Sequence, residues 1–305
     1  MSLALLFPGQ GVQHAEMLRW LDDETGAAPV LTALAECIGV DWRSRVADEA
    51  WASSNRIAQP LITGVSLAAW HALAPQLPAP VAAAGYSVGE LAACSACGVF
   101  DATAALSLAQ QRAAAMDRST SADAAGLLSV AGAHADQVDA LCARLGLAVA
   151  IRIGVDRCVL GGPLAALNAA IPELSAAGAE LTPLRVHVAS HTAAMNGAAT
   201  AFAALIEPLA WQRSTCIVAC NLDGTGRRDV ASIKHALAAQ IARTVQWDRC
   251  MDTLAERQPS CVLEVGPGTS LARMWSARHP EVPVRSVDEF HSARAVVAWV
   301  RRALA

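Results

Sequence analysis

Charged side chains are scarce in this chain of 305 residues: Asp, Glu, Lys and Arg make up 16% of it, whereas soluble proteins average about 25%. None of the four occurs between Ile57 and Gly89. A membrane-spanning helix needs roughly 18 consecutive apolar residues, and Pro60, Gly64 and Pro75 interrupt this stretch. The sequence therefore predicts no membrane insertion. The 54% hydrophobic content also excludes a disordered chain, because it suffices to build a core.

The chain also lacks basic clusters and has few aromatic side chains. Its formal net charge is −4, and it contains one Tyr and four Phe. This composition excludes a nucleic-acid-binding surface. The start, Met1 to Phe7, lacks the basic segment of a secretory signal peptide. The nine cysteines are an odd number without the spacing of a disulfide framework, so we expect free thiols and a cytoplasmic location.

Strand-like and helix-like segments alternate along the chain. This alternation predicts an α/β fold with a largely parallel sheet. Leu3–Phe7 and Val81–Ala84 are apolar segments expected as strands of that sheet, and an apolar helix is expected over Pro60–Leu73.

The middle of the chain has a different order of predicted elements, βαββαβ, which is the ferredoxin-like pattern. Its last strand is expected over Leu181–Val188, and Ser119–Asp123 is expected as the linker that leads into it. We therefore predict a core of residues 1–121 and 190–305 that carries an inserted ferredoxin-like subdomain, residues 122–189.

The strongest local motif is Gly85-Tyr86-Ser87-Val88-Gly89, between a predicted strand and a predicted helix. This G-x-S-x-G pattern is typical of the nucleophile elbow of α/β hydrolases, in which the serine lies in a tight turn. The free N–H groups of the following helix then point at the reacting centre. We predict that Ser87 is a nucleophile and that the core is α/β-hydrolase-like. The alternative is an incidental glycine turn.

A nucleophilic serine needs a base, and the chain has eight histidines. His191 lies in Ser190-His191-Thr192, where a predicted strand ends and a helix begins. This position favours His191 as the base. No Asp or Glu lies near it in the sequence, which departs from the ordinary serine-hydrolase triad.

Several motifs together resemble the malonyl-CoA:acyl carrier protein transacylases over nearly the whole chain. The motifs are Phe7-Pro-Gly-Gln-Gly-Val-Gln13, Gln59-Pro60, Gly85-Tyr-Ser-Val-Gly-Glu90, Gln111-Arg112, Ser190-His-Thr-Ala-Ala-Met195, Val245-Gln-Trp247 and Glu264-Val-Gly-Pro-Gly268. That family also carries an inserted ferredoxin-like subdomain.

The resemblance implies a role for each site residue. Ser87 takes the malonyl group as an ester, His191 is its general base, and the Gln240 carbonyl orients that histidine. The backbone N–H groups of Gln10 and Val88 form the oxyanion hole.

Arg112 matches the family's arginine that binds the free carboxylate of the substrate, a task that suits a planar guanidinium. An exposed helix arginine is the alternative. The resemblance implies ping-pong transfer from malonyl-CoA to the thiol prosthetic group of a carrier protein, with no bound metal or cofactor.

Three departures from the family pattern affect the assignment. Tyr86 replaces the usual histidine before the serine, Ile153–Arg157 lacks the family's N-S-P-x-Q run, and Arg243-Thr244 replace Asn-Pro. With Tyr86, the elbow resembles the malonyl transferase (epsilon) subunit of biotin-independent malonate decarboxylase, which loads a small carrier subunit. We favour this branch over the transacylase of fatty-acid or polyketide synthesis.

Alternative interpretations of the substrate and of the activity stay open. Val188-Ala-Ser-His191 resembles a motif associated with methylmalonyl selection. The same residues also allow a serine thioesterase, and a non-catalytic subunit that only docks a carrier protein is a third alternative. Cys94 and Cys97 have the C-x-x-C spacing of a metal or redox site, but they lie on the predicted helix after the elbow with no second pair, which favours buried helix residues.

Overall fold

The computed structural model describes residues 2–119 and 124–305. Its strands are β1 (Leu3–Phe7), β2 (Ala82–Gly85), β3 (Ala125–Ala131), β4 (Ala148–Arg152), β5 (Arg157–Pro163), β6 (Glu180–Pro183), β7 (Ile217–Ala219), β8 (Gly226–Arg227), β9 (Val245–Gln246), β10 (Cys261–Glu264) and β11 (Val284–Ser286). Its α-helices are α1 (Ala28–Ile38), α2 (Trp42–Arg45), α3 (Glu49–Ser53), α4 (Asn55–Leu73), α5 (Gly89–Ala96), α6 (Ala102–Arg118), α7 (Ala135–Leu145), α8 (Leu164–Ala176), α9 (Asn196–Ile206), α10 (Val230–Ala239), α11 (Trp247–Ala255), α12 (Ser270–Arg278) and α13 (Ala293–Leu304).

The core is a six-stranded sheet in the order β11-β10-β1-β2-β7-β8, in which every pair except β7–β8 is parallel. Every residue of β1, β2 and β10 is buried, as expected for parallel strands covered by helices on both faces. The predicted α/β fold with a parallel sheet is confirmed. Because parallel strands end at one edge, the segments after β1, β2 and β7 meet there, which is where such sheets bind ligands.

The insert has the element order β3-α7-β4-β5-α8-β6, and its antiparallel strands lie in the order β6-β3-β5-β4. This is the predicted βαββαβ arrangement, with its own small hydrophobic core. Strand β9, which comes from later in the chain, pairs in parallel with β4 and extends this sheet. The predicted division at residues 121 and 122, like most of the Ser119–Asp123 linker, falls outside the described residues, and the domain bounds stay a prediction.

The strand predicted over Leu181–Val188 is wrong in its second half, because β6 ends at Pro183. A proline has no N–H to donate to a neighbouring strand, and β6 is an edge strand. The following residues turn away from the sheet, and Leu184 and Val186 line the pocket beside Ser87.

Helix α4 explains most of the uncharged stretch of the sequence. It begins at Asn55, five residues before the predicted start at Pro60, and it holds that proline within its second turn. The segment Asn55–Gln76 is long and apolar enough to cross a membrane by length and composition, and 89% of its apolar window is buried inside the protein. Such burial is typical of a core helix packed between other helices.

The two outer glycines of the G-x-S-x-G motif allow a close backbone approach. A Cβ atom on Gly85 would lie 2.0 Å from the carbonyl carbon of Gly89, and one on Gly89 would lie 2.3 Å from the carbonyl oxygen of Phe7. The turn that holds Ser87 therefore packs directly on β1 and on its own helix, with no room for a side chain.

We expect Gly85→Ala to lower the free energy of unfolding by at least about 2 kcal/mol, because the new Cβ overlaps backbone atoms that cannot move independently. The matched control is Gly154→Ala, whose Cβ would have no atom within 4 Å, and we expect it to change stability by less than about 0.5 kcal/mol. Denaturant unfolding measures both values. Equal stability of the two variants would contradict this account of the turn.

Candidate active site

Ser87 lies between β2 and α5 with a backbone φ of 55°, in the left-handed region that non-glycine residues rarely adopt. This conformation is typical of a nucleophile elbow. The Ser87 Oγ atom is 2.8 Å from Nε2 of His191. The structure therefore brings together the serine and the histidine that the sequence suggested, although they lie 104 residues apart in the chain.

His191 is held at both its backbone and its ring. Its φ is 63°, its backbone N–H donates to the Ile241 carbonyl at 2.9 Å, and its Nδ1 lies 2.6 Å from the Gln240 carbonyl oxygen. Because a carbonyl only accepts, Nδ1 carries the proton and Nε2 is free to accept the Ser87 hydroxyl proton. The neutral ring is therefore the tautomer that a general base needs.

The pKa of His191 is lowered to about 3, first by burial and then by the Arg112 cation, while the Gln240 hydrogen bond acts in the opposite direction. The ring is 2% exposed. His191 is therefore neutral at physiological pH, which keeps it available as a proton acceptor.

Gln240 follows α10 and uses its backbone carbonyl, not its side chain, to orient His191. Its side-chain Nε2 donates to the Ser87 carbonyl oxygen at 3.4 Å. The backbone carbonyl occupies the position that a carboxylate holds in the ordinary triad. An uncharged acceptor there stabilises the protonated ring less than a carboxylate would.

Arg112 lies on α6, is 1% exposed and points at Ser87. Its NH1 donates to Gln59 Oε1 at 2.8 Å and to Met116 Sδ at 3.2 Å, and its NH2 lies 3.3 Å from Ser87 Oγ. The alternative of an exposed helix arginine is therefore wrong.

Within the described residues, every hydrogen-bond partner of Arg112 is uncharged, and its Nε has none. Burial lowers its pKa to about 10, opposed by Glu90, so it keeps its charge at neutral pH. A buried cation without a contacting anion is costly. A substrate carboxylate bound beside Ser87 would contact this cation and be stabilised by it.

The pocket at Ser87 is small and its walls are largely apolar. It has a volume of about 40 Å³ and is lined by Leu127, Ile151, Leu184 and Val186 together with Gln10, Tyr86, Ser87, Arg112, Met116, Ser190 and His191. A second cavity of about 310 Å³ shares Gln10, Tyr86, Leu184 and Val186 with it. The site therefore joins room for a short acyl group to a larger neighbouring cavity.

Two backbone N–H groups, those of Gln10 and Val88, are the oxyanion donors implied by the resemblance. Val88 caps α5 directly after Ser87, and Gln10 lines the pocket. Neither N–H donates to another protein atom in the part of the chain that the structure describes. The Gln10 side chain donates to Asn55 Oδ1 at 3.1 Å, and Asn55 in turn donates to Asp117, so α4 and α6 brace this loop.

Asn221 is a site residue that the sequence reasoning missed. It is fully buried after β7, accepts the Ser87 backbone N–H at 2.8 Å and donates to the Gly85 carbonyl at 2.7 Å. It therefore pairs backbone groups on both sides of the elbow. The one available signal is its place after the apolar segment Cys216–Cys220, which the sequence predicts as a strand, because the ends of parallel strands share an edge.

Two residues near the elbow are structural rather than reactive in this arrangement. Glu90 is fully buried, accepts the Asn221 backbone N–H, and has its pKa raised to about 7 by burial. Tyr86, the departure from the family pattern, packs edge-on against Trp247 with ring centroids 5.1 Å apart. No group of three or more His, Cys, Asp or Glu side chains among the described residues is placed to hold a metal ion.

Comparison with known proteins identifies the family of the chain. Residues 4–302 match the family described as an acyl transferase domain. The chain belongs to this family. It is 32% identical over 291 residues to the malonyl CoA-acyl carrier protein transacylase of Mycobacterium tuberculosis, with 93% of this chain and 96% of that one covered. This acyltransferase therefore belongs with the malonyl-CoA:acyl carrier protein transacylases that the sequence resembles.

Solved structures agree with this placement. The acyl-carrier-protein S-malonyltransferase of Burkholderia pseudomallei superposes with a TM-score of 0.90 at 26% identity, covering 98% of this chain and all of that one. A malonyl-transacylase solved in complex with a type II polyketide acyl carrier protein gives 0.91 at 25% identity, covering 98% and 99%. The predicted acyltransferase is confirmed, and the alternative of a non-catalytic docking subunit is wrong.

The lowered pKa of His191 predicts the pH dependence of enzyme acylation. The base form is lost only as the pH falls toward about 3, so we expect kcat/KM for acylation by malonyl-CoA to change less than about twofold between pH 7 and pH 5. For an imidazole with an ordinary pKa of about 6.5, the rate would fall about 25-fold over this range. Quenched-flow mass spectrometry measures the rate. A fall centred near pH 6.5 would contradict the account.

Proposed function

We propose that this acyltransferase moves a malonyl group from malonyl-CoA to the thiol of a carrier protein through an ester on Ser87. The observation that carries the proposal is the buried Arg112 guanidinium, whose NH2 is 3.3 Å from Ser87 Oγ and whose hydrogen-bond partners in the described chain are all uncharged. A malonyl thioester brings both a carbonyl for Ser87 and a carboxylate for this cation. A planar guanidinium binds a carboxylate through two parallel hydrogen bonds.

The first half-reaction forms the ester. His191 Nε2 takes the proton of Ser87 Oγ, and Oγ attacks the thioester carbonyl carbon. Negative charge develops on the carbonyl oxygen, where the N–H groups of Gln10 and Val88 would stabilise it. The protonated His191 then gives its proton to the departing CoA thiolate, so the ring returns to its neutral form.

The second half-reaction runs the same steps in reverse with another thiol. His191 removes the proton of the carrier thiol, the thiolate attacks the Ser87 ester, and the serine leaves with the proton from His191. The thiol belongs to the carrier's prosthetic group and is a substrate. The cavity of about 310 Å³ next to Ser87 supports the approach of a long, thin thiol arm.

The small pocket supports a short acyl group. Its volume of about 40 Å³ is the size of roughly three water molecules, which leaves room for a short acyl chain beside Arg112. We therefore propose malonyl rather than methylmalonyl as the substrate, although Val188-Ala-Ser-His191 resembles a motif of methylmalonyl selection. Ser190 of that motif lines the pocket.

The identity of the carrier rests on different observations. The relatives compared above carry the name of transacylases or malonyltransferases of acyl carrier proteins, and one was solved with a polyketide carrier protein. These names support an acyl carrier protein of fatty-acid or polyketide synthesis. The role as the malonate decarboxylase subunit rests on the Tyr86 variant of the elbow alone and stays a prediction, as does a cytoplasmic location.

We expect Ser87→Ala to abolish the malonyl-enzyme adduct, because it removes the hydroxyl that lies within hydrogen-bond distance of both His191 and Arg112. Intact-protein mass spectrometry after mixing with malonyl-CoA measures the adduct. The control is Ser95→Ala, on the elbow helix α5 and outside the pocket lining, which we expect to load as the unaltered protein does. An adduct that persists on Ser87→Ala would remove Ser87 as the nucleophile.

We expect Arg112→Ala to lower kcat/KM for malonyl loading by about 100-fold or more, because two charge-assisted hydrogen bonds contribute about 1.5–3 kcal/mol each. Loading from acetyl-CoA, which has no carboxylate, should fall less than about fivefold. The matched control is Arg118→Ala, which removes an exposed arginine from the same helix α6. Equal losses with the two substrates would argue against carboxylate binding by Arg112.

A further inference from the structure

Two buried thiols lie next to each other where helix α5 ends and strand β7 begins. Cys97 directly follows α5, the elbow helix, and Cys216 directly precedes β7. Their Sγ atoms are 3.0 Å apart, and both cysteines are free. We propose that Cys97 and Cys216 form a reversible disulfide when the protein meets a hydroperoxide.

The backbone around this pair is already held together. The Thr215 backbone N–H and its Oγ1 hydroxyl both donate to the Cys97 carbonyl, at 2.8 Å and 2.9 Å. A disulfide has an S–S distance of about 2.05 Å, so the two sulfurs need to close by about 1 Å. Small side-chain rotations supply that movement without separating α5 from β7.

The two thiols have different environments, which assigns them different roles. Cys216 lies within hydrogen-bond distance of Cys97 and near Arg228, and these two neighbours lower its pKa against the effect of burial. It is 7% exposed, whereas Cys97 is fully buried. The thiolate is the reactive form of cysteine, so Cys216 reacts with the oxidant first and Cys97 resolves the product.

The reaction balances with hydrogen peroxide as the oxidant. The Cys216 thiolate attacks one peroxide oxygen, which gives a sulfenic acid and, after protonation of the leaving hydroxide, one water. The Cys97 sulfur then attacks the Cys216 sulfur, loses its proton and displaces a second hydroxide, which leaves as water. Two thiols are oxidised by two electrons in total, and the peroxide is reduced to two waters.

The neighbouring cysteines are less suited to this chemistry. Cys94, Cys220 and Cys250 are buried, and burial raises the pKa of each thiol. Cys37 is more accessible, and burial together with Glu36 raises its pKa. The Cys97–Cys216 pair is therefore expected to oxidise before the others.

The disulfide would join two elements that hold the backbone at Ser87. Helix α5 begins beside Ser87, and strand β7 leads to Asn221, which accepts the Ser87 backbone N–H. The cross-link closes a loop between residues 119 positions apart. Closing a long loop stabilises a fold when the native geometry accepts the bond.

The test treats the full chain with hydrogen peroxide, then denatures it and labels its thiols with a maleimide. We expect the number of labelled cysteines to fall by two from the nine in the chain, with a linked Cys97–Cys216 peptide in the digest and full recovery after a reductant. Cys97→Ala and Cys216→Ala should each lose the linked peptide, whereas Cys37→Ala should keep it. The Tm of the oxidised protein should rise by several degrees and return on reduction.

Two results would overturn the proposal. One is a full count of labelled thiols after a treatment that oxidises a model dithiol completely. The other is a linked peptide that joins other cysteines, or one that persists in the two alanine variants.

Discussion

The backbone turn at Ser87 is the constraint on which the site depends. It holds a non-glycine residue at φ 55° while Gly85 and Gly89 pack against backbone with no room for a Cβ. Such a turn costs free energy, which the surrounding contacts must offset. Asn221 contributes by pairing the Ser87 N–H and the Gly85 carbonyl. The same turn places the serine at the beginning of α5, where the helix dipole favours developing negative charge.

Electrostatics in the pocket follow from one buried cation and one buried neutral base. Burial and the Arg112 cation together lower the pKa of His191, so the histidine is already neutral and can accept a proton. A bound carboxylate would neutralise Arg112 and remove part of that effect. We therefore expect the pKa of His191 to rise when the acyl group is bound. At that stage the ring becomes protonated, and the Gln240 carbonyl accepts its Nδ1 hydrogen bond.

The sequence predicted those features that depend on short-range signals. The G-x-S-x-G turn, strand β1 and the βαββαβ order each leave a local pattern of glycines or apolar residues. Contacts between distant segments leave no local pattern unless each residue lies in a motif of its own, as Ser87 and His191 do. Asn221 lies 134 residues from Ser87, and Cys216 lies 119 residues from Cys97, and neither pair has such motifs. The early end of β6 was missed because Leu184 and Val186 continue an apolar alternation, although they line the pocket instead of a strand. Two apolar residues that alternate with polar ones to line a pocket give the same sequence pattern as a half-buried strand.

In the proposed function, the Ser87 ester passes its malonyl group to a carrier thiol and not to water. To test this, the malonyl-enzyme is isolated and the masses of enzyme and carrier are followed together, with and without a carrier protein that bears its thiol group. We expect an adduct that persists in buffer for many minutes and is lost within seconds when carrier is added, with one malonyl group gained per carrier. Loss at the same rate with and without carrier, with free malonate as the product, would refute the transfer and indicate a thioesterase.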